Sequence, residues 1–269
     1  MNAWIPTLAA FVMMAMAGAG GMLLAKRLPE AWMGEGSIES LKVGMAIVAT
    51  MSSLLLGLMV NSSRFNFSEA YSDLQKYAAA FQMTDLELLS FGAAACPVRL
   101  TLQDYGKLLI AETWQDGARF SPVPSGDPAL KVLLRFDGEV RALEPLTEAQ
   151  KQARGSLLSL SKQLVEYRWK VSGVARTTTP TTFIVVVICW LTLIFANVGI
   201  FAPRNPLVIA GHMLAMAGIS SAIFLVTEMG EPFAGPIQVS PAPVVRLLQR
   251  MEAEPCPAIE SRVGPGTPG

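Results

Sequence analysis

The sequence predicts an all-α protein: a four-helix transmembrane bundle joined to a helical extramembrane layer. Three observations predict it. First, residues 5–25, 43–60, 181–201 and 207–227 contain no Asp, Glu, Lys or Arg. The chain has 21 Lys+Arg and 21 Asp+Glu in 269 residues, so random scatter would put about 13 charges in those stretches. Second, at ~1.5 Å per residue about 20 residues cover the roughly 30 Å hydrocarbon core of a bilayer. Third, apolar residues between the second and third stretches recur three and four apart, the helical spacing.

Composition narrows the class further. Hydrophobic residues make up 52% and charged residues 16%, the net charge is +0 and the mean hydropathy is +0.42. That apolar excess excludes a disordered chain, and the missing basic surplus excludes a nucleic-acid binder. The partner it implies is the lipid bilayer. Cys96, Cys189 and Cys256 are odd in number and widely spaced, so no disulfide framework or metal ribbon is implied.

The first span reads as a retained helix, because Met1–Thr7 has no Lys or Arg and a signal peptide carries a basic start. Ala17 and Gly21 on it, and Ala49, Ser53 and Gly57 on the second span, recur at spacing four and form close-packing faces. These pack either the chain's own bundle or a neighbouring subunit. No breaker follows the second span before Arg64, so its helix continues into residues 61–180, the soluble segment. There Phe67, Leu74, Phe81 and Leu88, with Ala70 and Tyr77 between, form one apolar stripe. Pro97 opens a helix with Val98, Leu102, Tyr105 and Leu109 on one face. The Gly- and Pro-punctuated residues 115–146 read as a loop with one helical turn near Leu130–Arg135. Thr147 and Gln150 match a capping box, and Leu157, Leu160, Leu164, Tyr167, Val171 and Val174 follow it at helical spacing.

Thr179 with Pro180 and Asn205 with Pro206 are start signals for spans 181–201 and 207–227. The short link between these spans makes them an antiparallel hairpin. Residues 228–252 hold a proline-bounded turn and a short amphipathic helix with Val244, Leu247, Leu248 and Met251 on its apolar face. Residues 253–269 read as a disordered tail. With four spans the termini and the soluble segment share one side. The larger basic cluster near the spans (Arg64, Lys76, Arg168, Lys170, Arg176) puts that side in the cytoplasm, while Lys26 and Arg27 argue the reverse.

Candidate chemistry is sparse. His212 lies inside the fourth span, where ionisable groups mark functional sites or hydrogen-bond a neighbouring helix. Asn197 reads as an interhelical contact. Glu228 and Glu231, three apart at the membrane edge, are candidates for a polar gate or an ordinary helix end. No metal-ligand spacing, nucleotide-binding loop or catalytic motif occurs, so the sequence implies no enzyme, no cofactor and no metal.

Three patches carry a family resemblance: Leu54-Leu55-Leu56-Gly57-Leu58-Met59-Val60-Asn61-Ser62-Ser63-Arg64-Phe65; Trp190-Leu191-Thr192-Leu193-Ile194-Phe195 with Gly199-Ile200-Phe201-Ala202-Pro203-Arg204-Asn205; and Glu228-Met229-Gly230-Glu231-Pro232-Phe233-Ala234-Gly235. In these the chain resembles the bestrophin-like domain family of bacterial membrane proteins. That resemblance implies a bestrophin-like fold and a homo-oligomer, a pentamer by analogy with bestrophins, conducting chloride or another small anion. It implies a pore lined by the second span at Thr50, Leu54 and Leu58, and a multi-pass protein of the cell membrane, the inner membrane if bacterial, with cytoplasmic termini. The alternative is a non-conducting scaffold whose helical layer docks a partner. Residues 237–245 contain no acid, so a bestrophin-type calcium clasp is not implied.

Overall fold

The computed structural model describes residues 3–29, 34–114, 127–174, 181–203, 205–254 and 256. Every regular element among them is helical: α1 Trp4–Leu24, α2 Glu35–Phe91, α3 Cys96–Trp114, α4 Pro128–Ala142, α5 Glu148–Val174, α6 Thr181–Phe201, α7 Pro206–Met229 and α8 Ala242–Ala253. They form two compact units. One comprises Met1–Glu69 with Thr177–Gln238, the other Ala70–Arg176 with Val239–Gly269.

The first unit contains α1, α6, α7 and the N-terminal part of α2. Each of these helices has a stretch long and apolar enough to cross a membrane. Their shared core is Ala10 and Met14 of α1, Met59 of α2, Val187, Leu191 and Phe195 of α6, and Met216 and Ile223 of α7. Large apolar side chains cover the outside as well, including Leu8, Leu41, Leu193, Leu207 and Leu214. A water-facing surface would not hold so much exposed hydrocarbon, whereas lipid accepts it without cost.

Two glycines set the closest helix approach. A Cβ on Gly21 would lie 2.1 Å from the Ala196 carbonyl oxygen, and one on Gly199 would lie 2.2 Å from that of Gly18. No side chain fits at either position, so the α1 and α6 backbones touch directly. The small-residue face of α2 behaves differently. Ala49, Ser53 and Gly57 are all exposed, and nothing lies within 4 Å of a Cβ on Gly57. Among the described residues this face is left uncovered.

Start signals act as the sequence predicts at Asn205, whose side chain accepts from the Leu207 N–H at 2.9 Å, with Pro206 in the first turn of α7. Thr179, Pro180, Arg176 and Arg204 lie outside the described residues.

In the second unit the α2 stripe is buried at Ala70, Leu74, Tyr77, Phe81 and Leu88. Gly92, at φ 97°, ends that helix in a left-handed conformation that a side chain would strain. The α3 face Val98, Leu102, Tyr105 and Leu109 is buried too, and Phe81 stacks on Tyr105 with ring centroids 6.1 Å apart.

Three features differ from the sequence reading. Of the expected loop over residues 115–146, residues 115–126 lie outside the described residues, and Pro128–Ala142 is instead the 15-residue helix α4. Asp127 caps it by accepting from the Leu130 N–H at 2.9 Å, Pro128 fills its first turn, and Leu130, Leu133, Phe136 and Val140 are buried. Burial of that stripe outweighs the cost of Gly138 in its interior. Thr147 does accept from the Gln150 N–H at 3.2 Å. The Gln150 amide, however, accepts from the Leu146 N–H and donates to the Phe91 carbonyl, so it ties α5 to the end of α2 as well as capping it. Finally, Cys96 and Cys256 form a disulfide across 160 residues. Sequence spacing carries no information about that distance, which the return of α8 to α3 closes. Within the segment read as a disordered tail, Cys256 is held by this bond; residue 255 and residues 257–269 lie outside the described residues.

Candidate functional site

The candidate pore residues lie on one side of α2. Ser52, Met59 and Ser63 are buried. At about 100° per residue, Leu54 lies roughly 200° round the helix from Ser52. Thr50 and Leu58 are four residues on either side of Leu54, so the three share the face pointing away from the bundle. Leu54 is 59% and Leu58 57% exposed, and Thr50 is exposed as well. The Thr50 hydroxyl donates to the Ala46 carbonyl at 2.7 Å, which turns its polar end into its own helix. The result is an uncharged, mainly aliphatic strip that no described residue covers.

His212 lines a cavity of about 110 Å³ in the first unit, together with Met22, Phe195, Met213 and Met216. Its Nδ1 lies 2.6 Å from the Val208 carbonyl oxygen, one turn back on α7. A carbonyl only accepts, so Nδ1 carries a proton. This hydrogen bond lies within the histidine's own helix. The Asn197 Oδ1 is buried with no hydrogen-bond partner among the described residues.

Glu228 is buried, and its Oε1 accepts from the Ile237 N–H at 3.2 Å. Gly235, at φ 83°, passes so close that a Cβ there would lie 2.0 Å from Oε1. The carboxylate therefore latches the turn 230–237 onto the end of α7. Glu231 is half-exposed, and its N–H donates to the Glu228 carbonyl at 3.2 Å. Structure thus separates the two acids: one holds the backbone, while the other remains partly accessible to solvent.

A polar cluster in the second unit has no counterpart in the sequence reading. Arg168 of α5 is buried, and its Nη2 donates to Glu112 of α3 and, at 3.0 Å, to Asp127 at the start of α4. Glu112 also accepts from the Ala129 N–H at 2.9 Å. Burial pushes the Glu112 carboxyl above its ordinary value, more than the Ala129 N–H and Arg168 pull it down. Burial also pushes Asp127 upward, but there the Leu130 N–H and Arg168 win and the carboxyl sits below its ordinary range. Burial drives the Tyr105 hydroxyl well above its usual range, so it stays neutral. Arg168 therefore pairs with acids inside the fold. The Asp127-Pro128 pair was the available signal for this cluster, because it marks a capped helix start. Among the described residues no group of three or more His, Cys, Asp or Glu could hold a metal ion.

The family model for the bestrophin-like domain matches residues 8–244. The chain belongs to the bestrophin-like domain family. Solved structures agree on the fold of this bestrophin-like protein. It is similar to a variant of a bacterial bestrophin homologue from Klebsiella pneumoniae, with a TM-score of 0.65 at 15% identity, covering 94% of this chain and 98% of that one. A second crystal structure of the Klebsiella pneumoniae homologue gives 0.65 at 16%, covering 93% and 98%. A structure described as a membrane protein variant gives 0.66 at 16%, covering 96% and 100%. At this identity the likeness shows the shared fold and no more. No curated protein sequence matches the chain. Membership and the apolar helices make it a bestrophin-like membrane protein.

Proposed function

We propose that the chain assembles into a homo-oligomeric pore lined by α2, with Thr50, Leu54 and Leu58 facing the conduction axis. The observation that carries this reading is the exposed, uncharged strip on the side of α2 away from its own bundle. Repeated around an axis, Leu54 and Leu58 form apolar collars that gate by dewetting, a known mode of channel control. The neighbouring Ala49-Ser53-Gly57 face is exposed among the described residues, and it suits the close helix packing between subunits that such a ring requires. Pentameric symmetry and chloride or another small anion come from the family resemblance, four membrane crossings from the charge-free stretches, and cytoplasmic termini from the larger basic cluster together with that resemblance. His212, Asn197 and Glu228 act in packing and latching.

Planar-bilayer recording of the purified protein tests the proposal. Wild type carries an anion current, and Leu58→Ala raises unitary conductance by widening the apolar collar. Absence of current from wild type, Leu54→Ala and Leu58→Ala alike overturns it. A monomeric particle in mild detergent overturns it too, and favours the partner-docking scaffold.

A further inference from the structure

The geometry points to Cys96 and Cys256 as a reversible thiol–disulfide modification site that locks the C-terminal segment onto α3. Cys96, Arg99, Gln103 and Lys107 are spaced three, four and four apart, so they share one side of α3. Arg99 Nη1 donates to the Glu254 carbonyl at 2.6 Å, while its Nε donates to buried Asp85 at 2.6 Å. Gln103 Nε2 donates to the Met251 carbonyl at 3.2 Å, and Lys107 Nζ pairs with Glu252 at 2.8 Å. Below them, Leu248 fills the space over Gly106, where a Cβ would come within 2.7 Å. These contacts dock α8 and the residue after it without any sulfur bond. The disulfide adds a covalent catch at the end of a clamp that already exists.

Accessibility and asymmetry make that catch a modification site. Both cysteines are half-buried and neither is sealed in the core, which leaves the pair open to attack by a reductant's thiolate. Cys96 is the first residue of α3, at the positive end of the helix dipole, and Cys256 lies outside any helix. The helix end stabilises a thiolate on Cys96, which makes it the better leaving group. A dithiol reductant therefore bonds through one thiolate to the Cys256 Sγ. The S–S bond breaks, and Cys96 departs with the electron pair and then takes a proton as the solution requires. The second thiol of the reductant attacks its own sulfur in the mixed disulfide and releases Cys256 as a thiol. The cysteine pair is reduced by two electrons and the dithiol is oxidised to its disulfide.

Thiol counting on the full chain tests this. Protein purified without reductant is denatured in detergent and labelled with a maleimide. One thiol per chain is expected, Cys189, rising to three after dithiothreitol, and Cys96→Ser or Cys256→Ser abolishes the cross-linked peptide. Three thiols before reduction overturn the site. Brief exposure of the native protein to glutathione, followed by acid quenching and peptide mass spectrometry, is expected to place the adduct on Cys256; an adduct mainly on Cys96 overturns the assigned direction. Hydrogen exchange of Ala242–Ala253 is expected to change less than twofold on reduction. Loss of protection across α8 overturns the view of the bond as a switchable catch on a preformed clamp.

Discussion

Replacing Gly21 by Ala adds one methyl group where α1 meets α6. The new Cβ would sit 2.1 Å from the Ala196 carbonyl oxygen and 3.0 Å from the Ile200 nitrogen. Both neighbours are backbone atoms, which no rotamer change can move aside. An ordinary carbon–oxygen contact needs roughly 3.2 Å, so the helices must part by about 1 Å. A gap of that size forfeits a quarter to a half of the dispersion energy along the contact, and overpacking of this kind typically costs ~1–3 kcal/mol. We expect about 2–3 kcal/mol here, because α1 packs more extensively on α6 than on α7. The control is the adjacent glycine. A Cβ on Gly20 meets nothing within 4 Å, and alanine is the better helix former by ~1 kcal/mol. Thermal unfolding in detergent, followed by tryptophan fluorescence, should therefore lower the Tm of Gly21→Ala by roughly 5 °C or more and leave Gly20→Ala unchanged or slightly raised. Gly21→Ala melting at or above Gly20→Ala would refute the direct backbone contact. The Gly21→Ala, Gly199→Ala double variant should lose less than the sum of the two, since the first methyl has already separated the helices.

Arg168→Met removes the guanidinium that two acids share and should cost about 3 kcal/mol, the lower end for a broken buried pair because Glu112 is partly solvated; a melt within 1 °C of wild type would contradict this. Asp127→Asn keeps an acceptor for the Leu130 N–H and loses the charge. Because the folded-state Asp127 carboxyl is depressed below its ordinary 3.8, its contribution is complete above that pH and is lost as pH falls through the folded value. The stability gap between wild type and Asp127→Asn should thus be widest near neutrality and close below about pH 4; a gap independent of pH in urea titrations would argue against it. The raised Glu112 has the opposite sign: its protonated form suits the fold, so Glu112→Gln should be milder than Asp127→Asn at pH 7, as the same titrations would show. Asn205→Ala removes the cap of α7 and should cost ~1 kcal/mol, readable as a lower Tm.

What sequence made legible depended on locality. Charge-free runs and the Leu74–Phe81–Leu88 stripe are repeats within one helix, and helical spacing determines their faces whatever the tertiary fold. Leu54 and Leu58 shared a face for the same reason. The features that escaped join residues far apart in the chain. Glu112, Asp127 and Arg168 meet only once three helices are packed, and Cys96 reaches Cys256 only because α8 returns to α3. Gly21 was visible as a small residue, but which partner it touched was not; a Cβ on Gly57, identical in pattern, would meet nothing within 4 Å among the described residues. Local punctuation also misled at α4, where Gly138 and the prolines suggested a loop and the buried Leu133–Phe136–Val140 stripe decided otherwise.

The glycine seam between α1 and α6 bears on how the protein is made. Roughly 160 residues separate the end of α1 from the start of α6. At ribosomal speeds of ~5–20 residues per second, α1 enters the bilayer about 10–30 s before its principal mate is synthesised. Through that interval its notched flank, shaped for another backbone, faces lipid or an insertion factor. A waiting period during biogenesis is therefore built into the order of the segments.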